Sequence, residues 1–504
     1  MDKIVVINFG SQYNELIVRR IRSLKVFALL LNPSQLDLKD KEIKGIILSG
    51  GPFSVNEKNA LMINEEIFNL NVPILSICYG MQLINKMLGG QVETSLNKEF
   101  GKTEIKIIED SPLSKDLPFT FNVWMSHNDV VTRIADNFNI LAISNTNKIA
   151  MIKHLEKDIY GVQFHPEVDN TEYGLQILDN FIEICQIKRE YDMPNFIKTK
   201  IKEIKDIVQD KKVICALSGG VDSSVVALLL DRAIPNQFIG VFINHGFLRK
   251  DEEIEVSNLY KNILKTPITI INAEDEFLNA LKGVIDPEEK RKIIGKTFIS
   301  EFQKVSEKYL VDFLAQGTLY TDIIESGYNS AKTIKSHHNV GGLPKDLNFT
   351  LIEPLKTLFK DEVRLLGKEL GLPETIYNRQ PFPGPGLAIR IIGEINKNDL
   401  LALKEAHQIL DEEIKKDNLQ FSIWQYFIVL TPIRTVGVMG DSRTYGKVAI
   451  IRAVTSKDGM TADYFKFPYA TLERISLRLV NEVKGITRVV YDITSKPPST
   501  IEWE

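Results

Sequence analysis

From residue 3 onward, short β-branched runs alternate with longer stretches whose apolar residues recur at helical spacing. The runs read "KIVVIN", "KVFALLL", "KGIILSGG", "VPILSIC" and then "IYGVQFHPEV". Such alternation predicts strands of a mostly parallel sheet covered by helices. The pattern ends near residue 188. A charged segment of helical character, 186–212, leads to a new strand, "VICAL", and then to "QFIGVFIN", "PITIINA" and "VDFLAQGT", again separated by helical stretches. This predicts a second doubly wound α/β unit. At "NRQPFPGPGLAIR" the prolines and glycines rule out a helix interior or a central strand, and the texture changes. Strand-like "YFIVLTPIRTVGV", "KVAIIRAV" and "ITRVVYDIT" follow, with a helix bearing Leu472, Ile475, Leu479 and Val483 on one side. The expected organisation is two doubly wound parallel-sheet domains, 1–188 and 189–379, and a smaller α+β domain, 380–504.

Length agrees with this division, because 504 residues exceed what one hydrophobic core serves. Charge adds little: 62 basic against 66 acidic residues gives a net −4, too weak a field to point to nucleic acid or a membrane. Arg434, Arg443, Arg452, Arg474 and Arg478 lie in no aromatic-interleaved basic stripe, so a subunit interface or a solvated face is expected of them. Cys78, Cys185 and Cys215 are few, odd in number and widely spaced, which argues against a disulfide framework and for a reducing compartment. The first residues lack the apolar stretch of a signal peptide, and no apolar run reaches the roughly 20 residues of a membrane helix. A cytoplasmic protein acting on small molecules is expected.

Two short stretches carry chemistry. In "CALSGGVDSSVVALLL", residues 215–230, an apolar strand turns through Ser-Gly-Gly into a helix. Backbone N–H groups and the positive end of the helix dipole then face one point, which suits an anion. Gly219 and Gly220 let phosphate approach the backbone, Val221 opens the helix, and Ser218, Ser223 and Ser224 add hydroxyls. Asp222 can hold a divalent ion on the same phosphates. A Walker loop is absent, since the one near match, "GKT" at 295–297, has Lys290 where its first glycine belongs. A generic Ser-Gly-Gly turn would simply cap a helix; the full string SGGVDSS after a strand resembles the pyrophosphate loop of the ATP pyrophosphatases, which cleave ATP between its α and β phosphates.

In "PILSICYGMQ" a buried strand ends at Cys78, and the sharp turn into a helix would expose the sulfur at the helix N-terminus, where a thiolate is favoured. "YGVQFHPEV" supplies partners, because residues two apart on a strand share a face, so Glu167 can orient the His165 imidazole that activates the thiol. A cysteine at an elbow followed by His-x-Glu, with "LSGGP" at 48–52, resembles the class I glutamine amidotransferases. The resemblance implies a thioester intermediate that releases ammonia, with the Gly51 and Tyr79 N–H groups facing the tetrahedral oxyanion.

An ammonia generator joined to an adenylating domain implies an oxygen activated as an adenylate and displaced by nitrogen. "QPFPGPGLAIR", "IKSHHNVGGLP", "GDSRTYGKVAIIRAV", "MTAD" and "KPPSTIEWE" are similar to the glutamine-hydrolysing GMP synthases, a likeness running from residue 4 to the last residue. It implies glutamine, ATP and xanthosine monophosphate (XMP) as substrates, with Mg²⁺ on the pyrophosphate, held by Asp222. It assigns Arg291, Gln380, Lys496 and Glu502 to XMP and implies a homodimer through the C-terminal domain. "SHHN", 336–339, becomes part of a glycine-rich lid with Lys335 facing phosphate charge, since adjacent His337 and His338 cannot both face one ion from a regular element. The bland reading of Lys496 and Glu502 is a solvated end of the chain, but Pro497 and Pro498 stiffen the tail and Trp503 is costly to expose, so a docked tail is expected. Departures are local: Ser76 and Asn128 stand where glycine is usual and Thr321 where proline is, which affects loop rigidity rather than chemistry. The rivals are NAD synthetase, asparagine synthetase and CTP synthase. They require, respectively, a nitrilase-type glutaminase, a cysteine at position 2 (here Asp2) and a Walker-type kinase domain. A non-catalytic nucleotide sensor would bind ATP without releasing pyrophosphate.

Overall fold

The structure, a computed structural model, describes the chain apart from residues 328–348, 440–441, 457–458 and 460. It forms two compact units, Met1–Phe196 and Ile197–Glu504.

The first unit is built on a nine-stranded sheet. From edge to edge it runs Ala28–Leu31, Lys3–Ile7, Ile43–Leu48, Ile74–Ile77, Ile159–Val162, Ile149–His154, Phe138–Ser144, Gln91–Ile107 and Thr120–Arg133. The first five are parallel. Their continuous apolar runs are buried, Ile4 to Ile7 fully so, as expected of a parallel sheet covered on both faces. The remaining strands extend the sheet antiparallel. In Thr120–Arg133 buried and accessible residues alternate, the mark of a sheet with one wet face. This extension adds to the parallel pattern read from the sequence. Pairing of Leu48 with Ser76, and of Ile77 with Val162, brings the carboxyl ends of three adjacent strands level. The loops that leave those ends carry Gly51, Cys78 and His165, the usual place for a site in such a sheet.

The second unit holds a five-stranded, fully parallel sheet ordered Thr269–Asn272, Phe238–Asn244, Val213–Ala216, Phe313–Ala315 and Thr350–Ile352. The strand order reverses at Val213–Ala216, so the loop that leaves its carboxyl end opens at a topological switch point. A second sheet pairs Gln425–Met439 antiparallel with Ser442–Thr455, which also takes Asp463–Tyr464 antiparallel and Ile486–Asp492 parallel. Helices Lys397–Lys416 and Tyr469–Glu482 bury Leu403, Leu410, Ile475 and Leu479 in its core. One continuous apolar core runs from Ile214, Val241 and Phe247 through Leu387 and Ile391 to Ile428, Ile451 and Ile486. No helix among the described residues is long and apolar enough to cross a membrane.

Candidate active sites

Strand Ile74–Ile77 delivers Cys78 to the start of helix Tyr79–Met87. Cys78 has φ 51° and ψ −105°, a conformation that costs an L-residue about 1–3 kcal/mol and persists only where its surroundings impose it. They do so here through hydrogen bonds from the Cys78 N–H to the Val162 carbonyl at 2.8 Å and from the Gly80 N–H to the Ser49 carbonyl at 3.1 Å. A Cβ on Gly80 would stand 2.5 Å from the Leu48 carbonyl oxygen, so the elbow closes only with glycine there. The thiol faces the Ser126 carbonyl at 3.8 Å, and Gln163 Nε2 donates to the sulfur at 3.7 Å.

The expected strand pairing of His165 with Glu167 is not how they meet. Strand Ile159–Val162 ends before His165, and Pro166, which has no N–H for a sheet ladder, follows it. The two side chains meet across a turn, with His165 Nδ1 2.7 Å from Glu167 Oε1 and both groups buried. The backbone there is pinned by the His165 N–H to the Trp124 carbonyl at 3.1 Å, and by the Thr171 hydroxyl on the His165 carbonyl at 2.6 Å. Tyr13 packs edge-on to the imidazole at 5.1 Å. Burial pulls the proton affinity of His165 down, but the Glu167 charge and the Cys78 sulfur outweigh it and hold the imidazole well above its ordinary value. The second Glu167 oxygen has no hydrogen-bond partner among the described residues, so this carboxylate depends on the imidazole for charge compensation. The Gly50–Gly51 loop closes over the group: a Cβ on Gly50 would lie 3.0 Å from His165 Cε1, and one on Gly51 2.8 Å from the Phe9 carbonyl oxygen and 3.2 Å from Tyr79 Cγ. Cys185 and Cys215, by contrast, are buried with thiols pushed up by desolvation, Cys215 to about 12. Gln163 and Gln82 escaped the sequence reading. Gln82 Nε2 spans Gln163 Oε1 at 3.4 Å and the Asp129 carbonyl at 2.9 Å, and the signal for Gln163 was its place two residues before His165.

In the second unit the chain turns from Val213–Ala216 into helix Val221–Ala233, with Gly220 at the N-cap. Gly219 has φ +73°, and a Cβ there would meet Val256 at 2.5 Å, so both turn and packing require glycine. The hydroxyls of Ser218 and Ser223 lie 2.9 Å apart, the Ser218 N–H donates to Ser223 Oγ at 3.2 Å, and the Gly220 N–H donates to Ser218 Oγ at 3.3 Å. Ser224 is buried and shares the Tyr260 hydroxyl (3.1 Å), which also accepts from the Gly219 N–H at 3.3 Å. Ser224 and buried Val221 thus brace the loop from beneath, while Ser218, Ser223 and Asp222 reach its accessible side. Both Asp222 oxygens accept from Lys360 Nζ, at 2.7 and 2.6 Å. The "GKT" at 295–297 lies inside helix Pro287–Tyr309, and Lys290 is fully buried.

Glu502 accepts from Arg390 Nη2 at 2.8 Å and from Gln425 Nε2 at 2.8 Å. Gln380 Oε1 accepts from the Tyr426 N–H at 2.9 Å, beside Gln425, and Arg291 donates to the main-chain oxygen of Glu504. The structure therefore brings Arg291 and Glu502 to one tail and sets Gln380 next to Gln425, a partner of Glu502; Arg390 and Gln425 are neighbours that the sequence does not signal. Lys496 stands apart, its Nζ on the Gly459 carbonyl at 2.8 Å and its backbone bridged to Ala462. The tail is docked rather than solvated. Arg452, expected at an interface or a solvated face, is instead fully buried. It donates to the carbonyls of Thr494 at 2.6 Å and Thr500 at 3.1 Å and pairs with Asp492 at 3.2 Å. It is internal because these carbonyls, turned inward by the irregular tail, need a donor. Arg474 and Arg478 meet Glu413 at 2.8 and 3.1 Å, while Arg434 and Arg443 stay exposed. Lys335 and the expected lid lie outside the described residues.

These arrangements define a glutamine amidotransferase joined to an adenylating α/β domain. The class-I glutamine amidotransferase family matches residues 5–185, the NAD synthase family residues 191–298 and the GMP synthase C terminal domain residues 412–503. Along its whole length the chain is 55% identical to the GMP synthase [glutamine-hydrolyzing] of Lactobacillus acidophilus, covering 98% of that protein. It is likewise 53% identical to that of Bacillus subtilis, covering 99%. The chain belongs to the glutamine-hydrolysing GMP synthase family.

Proposed function

We propose that this chain makes GMP from XMP, ATP and the amide nitrogen of glutamine. Cys78 attacks the glutamine amide with His165 as its proton partner and Glu167 orienting the ring, and Gly51 and Tyr79 donate their N–H groups to the oxyanion. The amide nitrogen takes a proton from His165 and leaves as ammonia, and water then frees glutamate from the thioester. In the second unit the XMP oxygen at C2 attacks the α-phosphorus of ATP, pyrophosphate leaves into the loop of Ser218, Gly219, Gly220, Val221, Asp222, Ser223 and Ser224, and ammonia displaces AMP to give GMP. Arg291, Gln380, Lys496 and Glu502 hold XMP. The observation that carries this reading is the buried His165–Glu167 pair, at 2.7 Å, beside Cys78 at a strained elbow, in a chain that also bears the SGGVDSS turn.

Asp222 fits a Mg²⁺ partner provided that the ion displaces Lys360, which holds both of its oxygens. It is a partly accessible carboxylate at the mouth of the loop, and Mg²⁺ is commonly held by one or two carboxylates with substrate phosphates completing its shell. When bound, the ion would neutralise the charge of the departing pyrophosphate. We further propose domains at 1–188, 189–379 and 380–504, a cytoplasmic location, and a homodimer through the last domain. The dimer is supported by the accessible hairpin end, where Arg434, Val436, Val438, Arg443 and Tyr445 share one face. Sedimentation at micromolar concentration should then give a species of twice the 57.2 kDa chain. The reading as a whole is tested by pyrophosphate and GMP formation across a panel of acceptor nucleotides with ammonium as nitrogen source. XMP alone should respond, and silence with XMP refutes it.

A further inference from the structure

Arg249 lies just beyond strand Phe238–Asn244 in a cluster of three guanidinium groups. Its guanidinium carbon stands 4.6 Å from the Phe382 ring centre, and that of Arg390 stands 5.3 Å from the same ring and 4.1 Å from Phe427. Arg379, the third, donates to the Gly219 carbonyl at 3.0 Å and is paired with Glu252, which is buried. Among the described residues two carboxylates serve the cluster, and both are claimed: Glu252 by Arg379 and Glu502 by Arg390. Glu252 also accepts the Arg249 backbone N–H at 2.8 Å, but the Arg249 guanidinium itself makes no hydrogen bond among the described residues, and its Nε is buried without a partner. One positive charge is therefore left over. Its effect reaches the neighbours: burial and then the charges of Arg249 and Arg390 press the His407 imidazole well below its ordinary value. Arg249 is itself held down to about 10 by burial and by Arg379, which still leaves it charged at neutral pH.

A half-buried cation whose enclosed Nε has no acceptor is costly unless something arrives to meet it. The cluster indicates where that would be. Arg379 touches the phosphate loop at Gly219, Arg390 touches the tail at Glu502, and Arg249 is the member with free donors. We infer that Arg249 is the anion receptor between the two substrate loops, taking a phosphate oxygen of the nucleotides that react there. The planar fork of the guanidinium suits a phosphate, and its stacking on Phe382 fixes its plane. The inference rests on the proposed reaction for its ligand and on this geometry for its residue.

The test uses the full chain, with ammonium as nitrogen donor, and measures XMP-dependent pyrophosphate release together with the melting temperature for the parent, Arg249→Met and Arg249→Lys. Removing charge-assisted hydrogen bonds predicts a loss of about 10–150-fold in kcat/KM for Arg249→Met. The melting temperature should hold or rise, because methionine keeps the packing and removes an unpartnered charge. Lysine should restore part of the rate. A methionine variant within twofold of the parent overturns the inference, as does one whose activity loss accompanies a fall in melting temperature of more than about 4 °C, the mark of a structural cation. A parent chain that releases no pyrophosphate with XMP instead overturns the proposed reaction beneath it.

Discussion

Substituting Glu167→Gln keeps the side-chain size and one oxygen facing His165 while removing the charge. The interaction at stake is a 2.7 Å contact between two groups that are 4% and 0% exposed, so solvent screens little of it. A hydrogen bond to a charged group contributes about 1.5–3 kcal/mol, and at 1.4 kcal/mol per decade this predicts a glutaminase rate lowered about 10–150-fold at neutral pH. The pH dependence supplies a second reading. In the parent, burial lowers the proton affinity of His165 and the Glu167 charge and Cys78 sulfur raise it further, for a net value well above 6.5. The stabilisation linked to the charged ring is thus complete below about pH 6.5, the unfolded value, and fades as pH rises through the raised folded value. Without the carboxylate that fading begins at lower pH, and the alkaline limb of glutaminase activity moves down with it. Glutamate release with ATP and XMP present, measured from pH 6 to 10, gives both quantities, and ammonia-driven GMP formation serves as the internal control. A variant with the parent's rate and the parent's alkaline limb would refute the role assigned to Glu167.

Cys78→Ser should abolish glutamine use while sparing ammonia use, whereas Asp222→Ala should lower both, because adenylation precedes nitrogen attack; GMP formation with each nitrogen source separates the two, and an Asp222→Ala enzyme active with ammonium contradicts the assignment. Gly51→Ala places a methyl group 2.8 Å from the Phe9 carbonyl oxygen and shifts an oxyanion donor, so glutaminase kcat should fall about 10²–10³-fold. Arg452→Met strands inward-facing carbonyls and Asp492 without their donor, and calorimetry should show destabilisation of about 3–5 kcal/mol. A melting curve equal to the parent's would remove Arg452 from the set of residues that hold the tail.

Much of this was readable in the chain because the signals are local. The apolar runs that became parallel strands are continuous, as strands buried on both faces must be, and SGGVDSS and "SICYG" each compress a strand, a turn and a helix start into a few residues. The antiparallel extension was harder to see. Runs such as "GKTEIKIIED" mix lysine and glutamate into a half-wet sheet, and strand Gln91–Ile107 pairs with partners as distant in sequence as Ser144. A spacing of two predicts that His165 and Glu167 meet on a strand, and they meet across a turn instead, since that spacing brings them together by either route. Arg249, Arg379 and Arg390 are single arginines in unrelated contexts, joined only by the fold, and nothing around Arg452 forecasts the five residues of tail that it gathers.

The core shared by the two sheets of the second unit bears on how the chain can be divided. Cutting the polypeptide at the proline-rich bend near residue 380 would strip Leu387, Ile391 and Ile428 away from Ile214, Val241 and Phe247, leaving both fragments with raw apolar faces. The adenylating sheet and its carboxy-terminal neighbour therefore share one core within Ile197–Glu504. The glutaminase keeps a core of its own, drawn from residues within Met1–Phe196.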